Sequence, residues 1–185
     1  TIIDGLAHGI YLKGSCAGSI ITGNTITGNV LDGILMERSD ECTIKGNTIE
    51  DNGSCGVQLY LDCDDNEIIG NTITGNYLDN VYLFAGCERN LVKGNEISYS
   101  EASWGIRLWS ECHDNEIIGN TITGNYAANV YLYQPCLRNL IQGNEISFSE
   151  AQGVFLNYLS GYSIIIGNEI TDNAGEGIRM FGQGH

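Results

Sequence analysis

The chain has 185 residues, of which 42% are apolar, and it carries a formal net charge of −15. This length fits one domain or one repeat array with a continuous core, and the acidic balance disfavours nucleic acid and anionic membrane surfaces as partners. No apolar run approaches the roughly 20 residues of a membrane-spanning helix, so we expect no membrane insertion.

A Gly-Asn pair, followed by Ile two residues after the Asn, recurs along the whole chain at intervals of 23 to 25 residues. The asparagines of these pairs are Asn24, Asn47, Asn71, Asn95, Asn120, Asn144 and Asn168. The phrase DNEIIGNTITGNY even occurs twice, at residues 65–77 and 114–126, two units apart. Within each unit apolar and polar residues alternate with a period of two, and no segment keeps a helical spacing. Each unit is therefore predicted to be a set of short strands.

Alignment of the units on the Gly-Asn pair gives three inward columns of apolar residues. In chain order, one unit contributes Val57 with Leu59, then Ile68, then Ile73. Such columns predict an all-β, right-handed, single-stranded parallel β-helix of about seven coils, with three short strands in each coil. The Gly-Asn pair lies between inward Ile columns only five residues apart, so it must turn the chain. Its stacked Asn side chains are expected to form a hydrogen-bonded ladder.

The GNxIxxN units resemble the parallel β-helix repeats of pectate-lyase-like proteins, a group of carbohydrate-binding proteins and sugar hydrolases. The resemblance spans essentially the whole chain, and it is specific for fold rather than function. Related repeats occur in polysaccharide lyases, hydrolases, epimerases, phage tailspikes and surface adhesins. We treat residues 1–185 as a single domain that is part of a longer chain or lacks its end caps. We expect it to be extracellular or on a cell surface.

The strand that reads VYLF, IRLW, VYLY and VFLN alternates inward aliphatic residues with outward ones. These outward positions are expected to form an exposed candidate ligand-binding face, made of Tyr82, Phe84, Arg107, Trp109, Tyr131, Tyr133 and Phe155. Tyr60 and Phe181 extend it at either end, and the resemblance implies that this strand carries a substrate groove. Aromatic rings pack on sugar rings, and a guanidinium bonds hydroxyls or a carboxylate, which favours polysaccharide as the partner. An oligomer interface and simple strand stabilisation remain as alternatives.

The turn after this strand carries a group of acidic residues: Asp62, Asp64, Asp65, Glu111 and Asp114. Carboxylates on neighbouring coils are candidate calcium ligands, or the acid and base of a glycosidase. Arg89 and Arg138 fall in the same column as two of them, so local charge pairing is the competing interpretation. We name no cofactor besides this candidate calcium.

Five of the seven cysteines share one column, namely Cys16, Cys63, Cys87, Cys112 and Cys136. We interpret this cysteine ladder as small buried side chains and not as a soft-metal site, because stacked sulfurs would lie about 4.8 Å apart. Cys55 lies outside the column, and it is the best candidate for a reactive thiol.

The sequence names no catalytic residues, because the turns are short and the histidines are scattered. The favoured function is a noncatalytic module that binds polysaccharide or acts as a rigid surface or adhesive scaffold. The alternative is a polysaccharide-active enzyme, a lyase, hydrolase or epimerase, that uses the aromatic face and the acidic turns. Self-association through the coil ends or the aromatic face is also open.

Overall fold

The computed structural model describes residues 1–182. Within them the chain forms 23 short strands and no helix, so this part contains no helix long and apolar enough to cross a membrane. The strands belong to three parallel sheets, which we call A, B and C. The chain visits sheets B, C and A in turn, so each circuit makes one coil.

Sheet A contains β1 (Ile2–Ile3), β4 (Thr25–Thr27), β7 (Thr48–Glu50), β10 (Thr72–Thr74), β13 (Glu96–Ser98), β16 (Thr121–Thr123), β19 (Glu145–Ser147) and β22 (Glu169–Thr171). Sheet B contains β2 (Ile10–Lys13), β5 (Ile34–Glu37), β8 (Val57–Tyr60), β11 (Val81–Phe84), β14 (Ile106–Trp109), β17 (Val130–Tyr133), β20 (Val154–Asn157) and β23 (Ile178–Phe181). Sheet C contains β3 (Ile20–Thr22), β6 (Thr43–Lys45), β9 (Glu67–Ile69), β12 (Leu91–Lys93), β15 (Glu116–Ile118), β18 (Leu140–Gln142) and β21 (Ile164–Ile166).

Each strand pairs with the strand three positions later in the chain, so one coil stacks directly on the next. In sheet A, for example, Ile73 is in register with Ile49 on one side and with Ile97 on the other. This register gives about eight turns with three strands per coil, close to the seven coils predicted. The predicted all-β parallel solenoid is therefore confirmed.

The inward columns form a continuous core along the solenoid. Ile26, Ile49, Ile73 and Ile97 are completely buried, and their counterparts in the other two sheets are buried as well. β-branched side chains fit this interior because they pack well on the pleated surface of a strand. The alternation of the sequence therefore identifies the core side of the strands correctly.

Asparagine ladders occupy the corners between the sheets. In the predicted ladder, Asn71 donates from its amide nitrogen to Oδ1 of Asn95 at 2.8 Å, and Asn95 does the same to Asn120 at 2.9 Å. A second ladder of this kind joins Asn66, Asn90, Asn115 and Asn139. A third begins with Asn29, Asn52 and Asn76. These side chains provide acceptors for turn amides that the sheets leave unpaired.

The turns need left-handed backbone conformations. Gly70 of a Gly-Asn pair has a φ of 60°, where a side chain is unfavourable. After β8, Leu61 and Asp62 are both left-handed, with φ of 58° and 50°. Two such residues in succession turn the chain sharply between β8 in sheet B and β9 in sheet C.

Candidate functional site

Six aromatic rings follow one another along the outer side of sheet B, one ring from each of six successive coils. We call them the aromatic strip: Tyr60, Phe84, Trp109, Tyr133, Tyr158 and Phe181. In this order, the centroids of neighbouring rings lie 5.5, 6.0, 5.4, 5.8 and 5.9 Å apart. Five steps between coils make the strip about 24 Å long. The six rings therefore form one continuous series along the outer side of sheet B.

The strand register explains why these rings align. Phe84, Trp109 and Tyr133 occupy the same outward position of β11, β14 and β17. On β20 this position holds Asn157, and the ring comes instead from the next residue, Tyr158. The sequence prediction missed Tyr158, because it lies just past the strand and outside the alternating pattern. The ligand-binding role of the predicted strip residues, such as Phe84, Trp109 and Tyr133, stays a prediction.

A second outward column lies beside the strip, and here Tyr82 and Arg107 differ from the expected exposed positions. Tyr82 is only 8% exposed, and 12% of the Arg107 side chain is exposed. The Arg107 guanidinium lies 3.8 Å from the Tyr82 ring centroid, 4.6 Å from that of Trp104 and 5.0 Å from that of Trp109. The expectation that both residues are exposed is therefore wrong, because Trp104 and the neighbouring rings cover them.

Asp79 is the ionic partner of Arg107, and it is completely buried. Its Oδ2 lies 2.6 Å from Nη2 of Arg107, and its Oδ1 accepts bonds from the hydroxyl of Ser103 at 2.6 Å and the amide of Trp104 at 3.2 Å. Burial raises the pKa of the Asp79 carboxyl above its usual value, although Arg107 opposes this shift. The arrangement neutralises the only arginine in the predicted face.

Tyr131 and Phe155 continue the second column as half-buried rings. The Tyr131 ring lies 5.1 Å from that of Trp104 and 5.1 Å from that of Phe155. Burial raises the pKa of the Tyr131 phenol, whose oxygen accepts a bond from Nδ2 of Asn157 at 3.1 Å. The Tyr131 ring also stacks on that of strip residue Tyr133, with centroids 5.8 Å apart, so this column packs against the strip from the side.

The five acidic residues of the predicted group have different roles in the structure. Arg89 binds Asp65 through both guanidinium arms and also reaches Asp64 at 3.0 Å. Arg138 pairs in the same way with Asp114, and this holds the pKa of that carboxyl below its usual range. Charge pairing thus accounts for three of the five predicted carboxylates.

Some of the turn side chains also act as scaffold acceptors. Oδ1 of Asp64 accepts the amide of Glu88 at 2.8 Å, and Nδ1 of His113 accepts the amide of Leu137 at 3.0 Å. Asp62 and Glu111 remain exposed. Residues 1–182 contain no group of three or more His, Cys, Asp or Glu side chains placed to hold a metal ion. Calcium binding stays a prediction.

The cysteine ladder lies directly behind the strip. The thiols of Cys63, Cys87, Cys112 and Cys136 are fully buried, and each donates to a carbonyl three residues earlier at 3.3–3.4 Å. Those carbonyls belong to strip residues Tyr60, Phe84, Trp109 and Tyr133. The cysteines therefore stabilise the turn that follows each of these residues, in keeping with their interpretation as small buried side chains.

Cys55 does not have the properties of a reactive thiol. It is 3% exposed, and burial raises the pKa of its thiol well above the usual value, with a further contribution from the Asp79 carboxylate. A buried thiol with a raised pKa holds little of the reactive thiolate. The prediction of reactivity at Cys55 is wrong.

The comparison with known families is decisive for the fold. The family model described as "Right handed beta helix region" matches residues 1–133 and 32–185, which together cover the whole chain. The chain belongs to the right-handed β-helix family. No curated protein matches it.

Several solved structures share this fold. The periplasmic alginate epimerase AlgG is 19% identical with a TM-score of 0.75, and the match covers 96% of this chain and 48% of that one. The A-module of mannuronan C-5 epimerase AlgE6 from Azotobacter vinelandii is 18% identical with a TM-score of 0.77, covering 90% and 53%. The Dettilon tailspike protein is 17% identical with a TM-score of 0.82, covering 96% and 45%. This right-handed β-helix spans about half of each structure, and at these identities the likeness is one of fold.

Proposed function

We propose that this β-helix is a noncatalytic module that binds a polysaccharide along the aromatic strip. The observation that carries the proposal is the unbroken series of six rings, each 5.4–6.0 Å from the next, along one side of sheet B. Aromatic planes pack on the apolar faces of sugar rings, and successive rings suit a ligand that repeats along its length. Two of the similar structures are named epimerases of alginate or mannuronan, which supports a polysaccharide as the ligand class.

Binding without catalysis fits the state of the polar groups around the strip. A catalytic site needs titratable side chains that converge on one point and are available to the substrate. Here Asp64 and His113 accept backbone amides of the next coil, and Asp114 is held by Arg138. Arg107 is covered by rings and paired with Asp79. These side chains already serve the scaffold.

A rigid scaffold is the second candidate function, and the asparagine ladders favour it. They tie each coil to the next through buried side-chain bonds of 3.0–3.1 Å, which suits a stiff rod. An extracellular or cell-surface location is part of the proposal, and it agrees with the periplasmic epimerase among the similar structures. Self-association through the coil ends or the aromatic face stays a prediction.

Substitutions in the strip separate binding from scaffolding. Trp109→Ala and Tyr133→Ala each remove a ring from the middle of the strip, and we expect each to weaken polysaccharide binding about tenfold, because one ring contact contributes about 1.4 kcal/mol. Binding is measured by affinity electrophoresis through gels that contain a soluble polysaccharide. Tyr126→Ala is the matched control, since Tyr126 is 55% exposed and lies outside the strip.

The outcomes distinguish the candidate functions. Retention by the wild type that falls in both strip variants and persists in Tyr126→Ala supports the proposal. Equal retention of all four proteins, or retention of none across a broad panel of polysaccharides, contradicts it and leaves the scaffold function. Release of shortened or epimerised sugar by the wild type would instead favour the enzyme. Circular dichroism verifies that each variant is folded.

A further inference from the structure

We infer that the aromatic strip binds an uncharged polysaccharide rather than a polyuronate. This inference rests on the proposed function and adds the chemical class of the ligand. A site for a uronate chain needs cations that can reach the carboxylate of each sugar. The cations near the strip are instead paired within the protein, and the unpaired charges beside the strip are negative.

Arg107 is the cation nearest the middle of the strip, and it cannot serve a ligand carboxylate. Its guanidinium is held 2.6 Å from the carboxylate of Asp79, and the pair is enclosed between Tyr82 and Trp104. Withdrawal of Arg107 toward a ligand would leave Asp79, which is 0% exposed, as an uncompensated buried charge. A bound ligand therefore meets the rings around Arg107 and not a positive charge.

The other arginines beside this face are also paired. Arg89 is bound to Asp64 and Asp65, and Arg138 is bound to Asp114. At the far end of sheet B, the Arg179 guanidinium lies 5.1 Å from the centroid of the Phe155 ring and 3.8 Å from Glu176. The positive charges along the strip are thus matched by carboxylates at close range.

The turn bordering the strip carries carboxylates that have no such match. Asp62 and Glu111 are exposed, and neither forms an ion pair within residues 1–182. Each lies two residues after a strip residue, Tyr60 and Trp109 respectively, and so within about 7 Å along the backbone. If a uronate on the strip residue lies at a similar distance of about 7 Å from the neighbouring carboxylate, Coulomb repulsion in water weakens its binding roughly threefold relative to an uncharged sugar. Over several sugar units this repulsion selects against polyuronates.

The ligand class is tested with the whole chain by isothermal titration calorimetry. The uncharged probes are galactomannan, xyloglucan and mixed-linkage glucan, and the charged probes are alginate and polygalacturonate. Each is measured at about 20 mM and about 500 mM NaCl, between which the Debye length falls from about 20 Å to about 4 Å. We expect at least one uncharged probe to bind with a Kd that changes less than twofold with salt, and to lose about tenfold in Trp109→Ala.

The results that would overturn the inferred ligand class differ from those that would overturn the proposed function. Binding of a polyuronate but no uncharged probe, with loss in Trp109→Ala, overturns the inference and leaves polysaccharide binding at the strip intact. Binding of no probe, or binding that Trp109→Ala and Tyr133→Ala leave unchanged, overturns both.

A charge variant tests the reason for the selectivity. The double variant Asp62→Asn with Glu111→Gln removes both unmatched carboxylates, and Glu96→Gln, at an exposed position on sheet A, is the control. We expect the double variant to bind alginate or polygalacturonate several-fold more tightly at low salt than the wild type or Glu96→Gln does. Its binding of the uncharged probe should not change. Polyuronate binding equal to that of the control contradicts the electrostatic reasoning.

Discussion

Removal of one rung from the middle of an asparagine ladder should cost far more than removal of a terminal rung. Asn95 accepts bonds from the amide nitrogen and Nδ2 of Asn71 at 2.8 and 3.0 Å. It donates through Nδ2 to the carbonyl of Ile68 at 2.8 Å and to Oδ1 of Asn120 at 3.0 Å. Asn95→Ala removes all four bonds and leaves the amide of Asn71, a buried residue, without its acceptor.

The expected loss follows from these contacts. A buried donor without an acceptor costs about 2 kcal/mol, and each of the other three bonds contributes about 0.7 kcal/mol net, so the free energy of unfolding should fall by about 4 kcal/mol. Asn24→Ala is the matched control, because Asn24 is half-buried and donates only to Thr22 and Asn47. Its expected loss is about 1 kcal/mol.

Equilibrium unfolding in urea, followed by circular dichroism, measures both losses. Repeat proteins can unfold in parts, so coincidence of the circular dichroism and tryptophan fluorescence transitions must be established first. A loss in Asn95→Ala within about 1 kcal/mol of that in Asn24→Ala would refute the ladder as a source of stability.

Two further predictions concern buried titratable groups. Iodoacetamide at about pH 8 should label the native chain only at Cys16, the one cysteine that is not buried. Burial protects the other thiols and, as at Cys112, raises the thiol pKa, so little reactive thiolate is present. Labelling of several cysteines in the native chain, detected by mass spectrometry, would contradict this. Arg107→Met should destabilise the fold at neutral pH by about 3–5 kcal/mol, because it leaves Asp79 unpaired. Since burial raises the pKa of Asp79 in the folded state, the folded chain holds this proton more tightly than the unfolded chain does. Part of the lost stability should therefore be recovered as the pH falls toward the unfolded-state pKa of about 4. A difference in unfolding midpoint between Arg107→Met and the wild type that does not shrink at low pH would contradict the reasoning.

The sequence predicted the fold well because period-two alternation directly reports which side chains face the core. Ile49, Ile73 and Ile97 are fully buried and in register, as expected. The positions of Phe84 and Trp109 on the outer side of sheet B follow from the same alternation. Local pattern and global architecture agree here because each coil repeats the environment of the previous one.

The alternation pattern did not predict the surroundings of Arg107, where one coil departs from its neighbours. Alternation places Arg107 on the outer side of its strand but does not indicate what covers it. The Gly-Asn interval from Asn95 to Asn120 is 25 residues, and the turn before β14 is one residue longer than in the neighbouring coils. That turn contains Trp104, which covers the Arg107 guanidinium. The longer Gly-Asn interval was the signal available in the sequence. It marks the coil in which Arg107 pairs with Asp79.

The acidic turns show a different limit of sequence reasoning. Residue type alone does not distinguish a carboxylate that is available to a ligand from one that accepts a backbone amide. Asp64 and His113 both bind amides of the next coil, as the ladder asparagines do. Only the geometry between coils separates this structural role from a catalytic or metal-binding one.

Tryptophan fluorescence offers the most direct measurement of the central claim, because the chain has two tryptophans and only Trp109 belongs to the strip. Trp104→Phe leaves Trp109 as the sole reporter. Titration of this variant with an uncharged polysaccharide that the wild type retains should give a saturable blue shift of the emission, because a sugar ring over the indole excludes water. With a polyuronate at low salt, the same shift should require a several-fold higher ligand concentration. An emission spectrum that stays constant while calorimetry reports binding would place the ligand elsewhere and contradict binding at the strip.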